Sequence, residues 1–250
     1  MDTSKKFDGR AKVYTAGRPG YPAELIDRLY DRYGFSKDSV IADIGSGTGK
    51  FARLLLERGN EVYCVEPNDD MRAAAEDELR VYAGYHSVKG GAENTTLISC
   101  SADFVTSAQA FHWFDTDRFR AECRRILKTG GTAVLVWNIR DMRAHVNREL
   151  YDLFKAYCPE FKGFGGGIKK DDERIVRFFG GDYERLSFEM PLSYDKERFI
   201  ARCLSGSYSL KQGDERYDEY IRETERIFDN YARGGRLTIE NSTVAYIGKP

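Results

Sequence analysis

The sequence predicts an α/β fold, a doubly wound and mostly parallel sheet with helices on both faces. Three observations predict it. Short β-rich segments alternate with amphipathic helical segments as far as Ile139, the order that right-handed crossovers and a covered parallel sheet require. A glycine cluster at 45–49 stands directly after the first strand and directly before a helix. The most apolar strand, Thr132 to Ile139, follows a Gly130-Gly131 turn, as a buried strand would.

Each element has a local reason. Pro22 to Tyr33 reads as a helix with Leu25, Ile26 and Leu29 on one face. Ser39 to Gly45 is a short apolar strand running into glycines. Lys50 to Arg58 has helical spacing at Phe51, Leu54 and Leu55, and Gly59 stops it. Glu61 to Glu66 is a second strand. Asn68 or Asp69 caps the next helix, which runs through Met71, Ala74, Ala75 and Leu79. Tyr85 to Val88 and Asp103 to Ser107 are the third and fourth strands. Thr116 to Leu127 is a helix with Phe119, Cys123, Ile126 and Leu127 inward.

Beyond Ile139 the spacing predicts an amphipathic helix over Asp141 to Tyr157, a glycine-rich loop at Lys162 to Gly167 and a charged patch at Lys169 to Arg174. A strand at Arg185 to Pro191, helices near Asp195 to Leu204 and Glu215 to Tyr231, and a last strand at Ser242 to Gly248 complete the chain. With no repeat and no long linker, the expectation is one domain over 1–250. Within it, 1–22 precedes the core, 38–139 forms it, 140–181 is an insertion above the strand ends, and 182–250 holds the C-terminal strands and helices.

Composition narrows the function. The chain has 39 Lys+Arg against 40 Asp+Glu, a net charge of −1, so the basic excess of a general nucleic-acid or membrane-surface binder is missing. The longest apolar run, Ala133 to Trp137, is far short of the ~18 residues of a spanning helix. Met1 to Asp8 has no apolar stretch resembling a signal peptide. The 5 cysteines are odd in number and widely spaced, and the 3 histidines form no paired motif. Reduced thiols, a cytoplasmic location and no metal site are therefore the expectations.

The segment Asp43-Ile44-Gly45-Ser46-Gly47-Thr48-Gly49 is the sharpest signal. Its glycines permit a tight turn and a close ligand approach, and the following helix offers unpaired amides. A dinucleotide fingerprint would need glycine where Lys50 stands, which disfavours a nicotinamide site; Phe51 after Gly49-Lys50 excludes a P-loop. Glu66 ends the next strand 21 residues after Gly45, where a carboxylate can take both hydroxyls of a ribose. The competing readings are a bare glycine turn and a solvated carboxylate.

These motifs resemble the class I S-adenosylmethionine-dependent methyltransferases. The matching segments are VIADIGSGTG (40–49), VYCVEP (62–67), GAEN (91–94), SAQAFHWFD (107–115) and RILKTGGTAVLVWNIRD (125–141). Tyr14, Arg18, Pro19, Tyr21 and Pro22, with AQAFHWF, WNxRD and SGSYSL (205–210), look like the small-molecule branch, methyltransferase type 11, near the trans-aconitate methyltransferases. The resemblance implies a seven-stranded sheet whose last strand lies antiparallel beside 132–139. It further implies S-adenosyl-L-methionine as cofactor, S-adenosyl-L-homocysteine as product and a small-molecule acceptor. Nucleic acid and membrane are not expected partners, and the protein is expected to be a monomer or homodimer.

Carried over by residue, Asp43 and the backbone of Gly45, Ser46, Gly47 and Gly49 hold the methionine part of the cofactor. Glu66 takes the ribose, Pro67 and Met71 lie beside the adenine, and Ala92 and Glu93 meet its edge. Gly91 stands where many relatives have Asp or Ser. Gln109 and Ala110 line the floor beneath the sulfonium, while Tyr14, Arg18 and Tyr21 form a lid.

The acceptor side is less determined. His112 is a candidate general base or acceptor-orienting group, or else a packed histidine. Trp113 and Phe111 are wall or core. Arg140, beside Asn138, holds an acidic acceptor in a two-pronged contact or pairs with Asp141 on the surface. No fixed catalytic residue is required, because alignment supplies most of the rate and a carboxylate has no proton to lose at neutral pH. Three functions compete: methylation of a small molecule, with carboxylate O-methylation favoured; a non-catalytic S-adenosylmethionine-binding sensor or assembly protein; and an NAD-dependent oxidoreductase.

Overall fold

Nearly continuous runs of buried side chains mark the central strands, and the amphipathic helices between them force the crossovers. The structure is a computed structural model and describes residues 19–164, 168 and 172–250. In chain order the elements are α1 (Ala23–Arg32), β1 (Val40–Ile44), α2 (Lys50–Leu56), β2 (Glu61–Val65), α3 (Asp69–Leu79), β3 (Tyr85–Val88), β4 (Ala102–Ala108), α4 (Thr116–Ile126) and β5 (Leu127–Arg140). Then come α5 (His145–Tyr157), α6 (Glu173–Phe179), β6 (Tyr183–Glu189), β7 (Leu192–Tyr194), α7 (Lys196–Leu204), α8 (Tyr217–Tyr231), β8 (Leu237–Ile239) and β9 (Asn241–Gly248).

Seven strands form one sheet in the order β3-β2-β1-β4-β5-β9-β6. The first five are mutually parallel. β9 inserts antiparallel beside β5, with Leu135 opposite Tyr246, and β6 adds antiparallel to β9. This is the Rossmann-like arrangement with its C-terminal antiparallel strand that the sequence leads one to expect. The helices α1, α2 and α3 cover one face through Leu25, Leu29, Phe51, Leu55 and Leu79. The other face is covered by α4 and α6 through Phe119, Cys123, Ile175 and Phe178. A third core joins α5, α7 and α8 through Leu150, Phe154, Phe199, Tyr220 and Ile227.

Several boundaries differ from the expected ones for identifiable reasons. β5 starts at Leu127, since Leu127 already pairs with Ala102 before the register shifts near Phe104. α5 starts at His145 because Asp141 accepts from the Arg143 amide in a local turn. β6 ends at Glu189, two residues before Pro191, which has no N–H for the ladder. The helix α6 and the β7–β8 ribbon have no counterpart in the expected elements. The 140–181 segment splits: α5 joins the third core while α6 packs on the sheet. No helix among the described residues is long and apolar enough to cross a membrane.

Candidate functional site

A cavity of about 750 Å³ opens at the carboxyl ends of β1, β2, β4 and β5, where the order of strands switches direction from β1 to β4. Its first wall is the turn after β1. The amides of Gly45 and Ser46 donate to the Val65 carbonyl at 2.8 and 3.2 Å, which ties the turn to β2. Gly49, at φ +78°, is the N-cap of α2, and a Cβ there would stand 2.3 Å from Leu79 Cδ1. Gly47, at φ +57°, faces open space instead, so a ligand can lie against its backbone. Gly45 packs against Ala110 and Phe114.

Two acids flank this turn. Glu66 is buried, and its carboxylate accepts from Gly47 N at 2.9 Å and Asn68 N at 2.8 Å. Burial raises its pKa, and those two amides and Arg72 oppose the rise. Each oxygen keeps acceptor capacity for a further donor. Asp43 is also buried; Oδ1 accepts from Thr106 Oγ1 at 2.7 Å, and Oδ2 has no partner among the described residues. Burial pushes the Asp43 carboxyl up to about 7, against the Thr106 bond and with help from the Glu66 charge.

The remaining sequence-predicted residues fall as follows. Pro67, Met71, Ala92 and Glu93 line the cavity beside Glu66. Glu93 Oε1 accepts from Asp115 N at 2.9 Å, so part of this carboxylate fixes the start of α4. The loop carrying Ala92 and Glu93 is pinned by Glu122, which accepts from both the amide and the hydroxyl of Thr95. Gln109 and Ala110 line the floor; Gln109 sits at φ +60°, in the left-handed region that few non-glycine residues adopt. A short 3₁₀ turn, Phe111–Trp113, then aims His112 and Trp113 into the cavity while Phe111 packs in the core. Tyr21 lines the mouth and meets the Phe51 ring edge-on at 5.1 Å. Asn138 lines it too, with its amide donating to the Gly20 carbonyl at 3.0 Å and accepting from Thr243 Oγ1 at 2.6 Å. Tyr14 and Arg18 lie outside the described residues.

Arg140 is in the cavity wall and not on the surface. The expected alternative, a pair with Asp141, does not form: Asp141 binds Arg143, and Arg140 stacks its guanidinium 4.4 Å from the centre of the Phe164 ring. Burial, then the charge of Arg202, draws the Arg140 pKa down to about 10. Phe164, Arg174, Arg202 and Asn241 also line the wall without having been site candidates in the sequence, and Ser207 and Tyr208 line it as well. The SGSYSL segment carries Ser207 and Tyr208; nothing in the sequence distinguishes Arg202 from other helical arginines. Among the described residues there is no group of His, Cys, Asp or Glu that could hold a metal.

Comparison with known proteins agrees with this geometry. Residues 42–135 match the methyltransferase domain family. An uncharacterized methyltransferase of Mycobacterium tuberculosis is 38% identical over 156 residues, 61% of this chain and 60% of that protein. A probable S-adenosylmethionine-dependent methyltransferase of Saccharomyces cerevisiae is 30% identical over 174 residues, 68% of this chain and 59% of its own length. The chain thus spans about 60% of the curated relatives it matches. Among solved structures, a protein of Anabaena variabilis named as a methyltransferase of an antibiotic-biosynthesis pathway superposes with a TM-score of 0.64 at 22% identity, covering 92% of this chain and 98% of that one. The YcgJ protein of Bacillus subtilis superposes with a TM-score of 0.58 at 16% identity over 92% and 100% of the two chains. These likenesses show the fold.

Proposed function

We propose that this protein is an S-adenosylmethionine-dependent methyltransferase that methylates a small molecule at a carboxylate oxygen. The observation that carries the reading is a single cavity with a turn-and-two-acid cradle at one end and a buried guanidinium at the other. Its volume suits a nucleoside cofactor with a small acceptor beside it. The family match over 42–135 supports the activity, and the relatives named above support it as methyltransferases.

The residues present fit the cofactor. Asp43 Oδ2 is a buried acceptor without a partner, Gly47 leaves the space a side chain would fill, and Glu66 holds two lone-pair positions free beside them. Asp43 and the 45–49 backbone would hold the methionine part, Glu66 the ribose hydroxyls, and Pro67, Met71 and Ala92 the adenine. When bound, S-adenosylmethionine supplies a methyl group on a sulfonium, whose transfer to a carboxylate oxygen leaves the carbon–sulfur electron pair on sulfur and releases no proton. The protein's own work is then orientation. Arg140 holds the acceptor's charge, Phe164 fixes the guanidinium plane, and Gln109, Ala110 and Trp113 bound the space between the two ligands. His112 has no proton to remove from such an acceptor; it shapes the wall.

The pair His112→Ala and Arg140→Ala tests the reading with a panel of small acids, phenols and amines as acceptors. His112→Ala should keep the rate within about tenfold, while Arg140→Ala raises KM ten- to a hundredfold, roughly the loss of one charge-assisted pair. A preference for neutral hydroxyl acceptors, a roughly 10²–10⁴-fold loss in His112→Ala and a silent Arg140→Ala would contradict it.

A further inference from the structure

The turn given to the adenine is fastened from behind to α4. Its ends are joined by two backbone hydrogen bonds, Gly91 N to Asn94 O at 3.1 Å and Asn94 N to Gly91 O at 3.3 Å. Gly91, Ala92 and Glu93 line the cavity. A closed turn of this size has little stability of its own, so the shape of this wall depends on what the turn is tied to. Two carboxylates tie it. Glu93 Oε1 accepts from the amide of Asp115, the N-cap of α4, at 2.9 Å. Farther along the same helix, Glu122 Oε1 accepts from Thr95 N at 2.8 Å and from Thr95 Oγ1 at 2.6 Å. The two attachment points are about two helical turns apart and so use one face of α4, roughly 10 Å from each other.

The second attachment is built for rigidity. Thr95 is 0% exposed, and a side chain at Gly90 would begin 2.7 Å from the Thr95 carbonyl. Arg125 donates from Nε to Glu122 Oε2 at 2.8 Å and from Nη2 to Oε1 at 2.7 Å, while its Nη1 donates to Ser99 Oγ at 3.1 Å. Arg125, against burial, and then the Thr95 hydroxyl and amide hold the Glu122 carboxyl down to about 2, so it is charged throughout the neutral range. Neither Glu122 nor Thr95 lines the cavity. A buried carboxylate is unfavourable unless its oxygens are hydrogen-bonded, and this one directs its bonds at the base of the turn. A hydrogen-bonding edge that is already in place discriminates between bases, because the wrong base leaves a buried polar group unpaired. An edge that must be ordered on binding loses affinity and can adjust to either base. We infer that Glu122, acting through Thr95, is a positioning residue for the adenine: it sets the edge of the 91–94 turn and with it the preference for a 6-amino over a 6-oxo purine. The inference rests on the cofactor reading for the identity of the base.

Calorimetric titration of the full chain tests it, with S-adenosylhomocysteine and with S-inosylhomocysteine, which carries an oxygen in place of the adenine amino group. The wild type should prefer S-adenosylhomocysteine about tenfold or more. Thr95→Val keeps the shape and loses the hydroxyl; it should weaken S-adenosylhomocysteine about tenfold, leave S-inosylhomocysteine within about threefold, and so remove most of the preference. Thr95→Ser restores the hydroxyl and should stay within about twofold of the wild type for both ligands. Glu122→Gln should act as Thr95→Val does, and the Thr95 pair decides alone should Glu122→Gln not fold. A role in stability only would lower the melting temperature and weaken both ligands alike; that result overturns the inference, as does an intact preference in Thr95→Val or equal binding of the two ligands by the wild type. Failure of the cofactor reading is distinct: the wild type then gives no heat with S-adenosylhomocysteine, and the inference falls with it.

Discussion

Asp43 combines full burial with an oxygen that lacks a partner, and that combination has a measurable signature. Its carboxyl is raised from 3.8 to about 7 by burial, whereas in the unfolded chain it titrates as an ordinary aspartate. Between roughly pH 4 and 7 the folded protein therefore binds more protons, and stability falls as pH rises through that window. The Asp43 contribution is complete below the window and lost above it, on the order of 4 kcal/mol. Asp43→Asn cannot ionise, so its melting temperature should stay flatter across the window while the wild type declines; parallel profiles would contradict the assignment. At this scale the cradle was legible in sequence, because Asp43, the glycines and Glu66 are fixed by local strand–turn–helix chemistry. The place of Arg202 in the cavity wall was not, because it depends on how α7 packs into the third core through Phe199 and Cys203, a placement set by long-range contacts.

Glycine 49 marks where one residue controls the meeting of two elements. Its left-handed backbone caps α2, and its missing Cβ lets Leu79 of α3 approach. Gly49→Ala should cost about 1–3 kcal/mol, from both the strained φ and the collision, read as a drop in the denaturation midpoint. An unchanged midpoint would mean that α3 moves freely away. The strands and helices up to β5 were legible because the period of their apolar residues is clear and each is bounded by glycine or a capping side chain such as Asn68, which accepts from the Met71 amide. The helix α6 was hidden by its charged start, though Asp172 caps it and Ile175, Phe178 and Phe179 bury its inner face. The ribbon of β7 and β8 pairs residues about 45 positions apart with only three residues per strand, too short for a periodic signal.

The whole molecule joins a nucleotide-type sheet to a helical cap, and the cavity lies between them. The sheet presents the ends of β1, β2 and β4, which supply the cradle; α5, α7 and α8 form their own core, and Arg202 of α7 and Tyr208 beyond it line the same cavity. The parallel order and the antiparallel β9 follow from alternation and from family resemblance, whereas the position of the cap follows from neither, since its helices carry only their own amphipathic faces. The claim on which the rest depends is that the cradle takes S-adenosylmethionine. Calorimetry with S-adenosylhomocysteine and NAD, on wild type and Glu66→Ala, tests it most directly. Saturable binding of S-adenosylhomocysteine, little or no heat with NAD, and a loss of roughly 1.5–3 kcal/mol in Glu66→Ala are the predicted results; tight NAD binding with no response to S-adenosylhomocysteine would contradict the account.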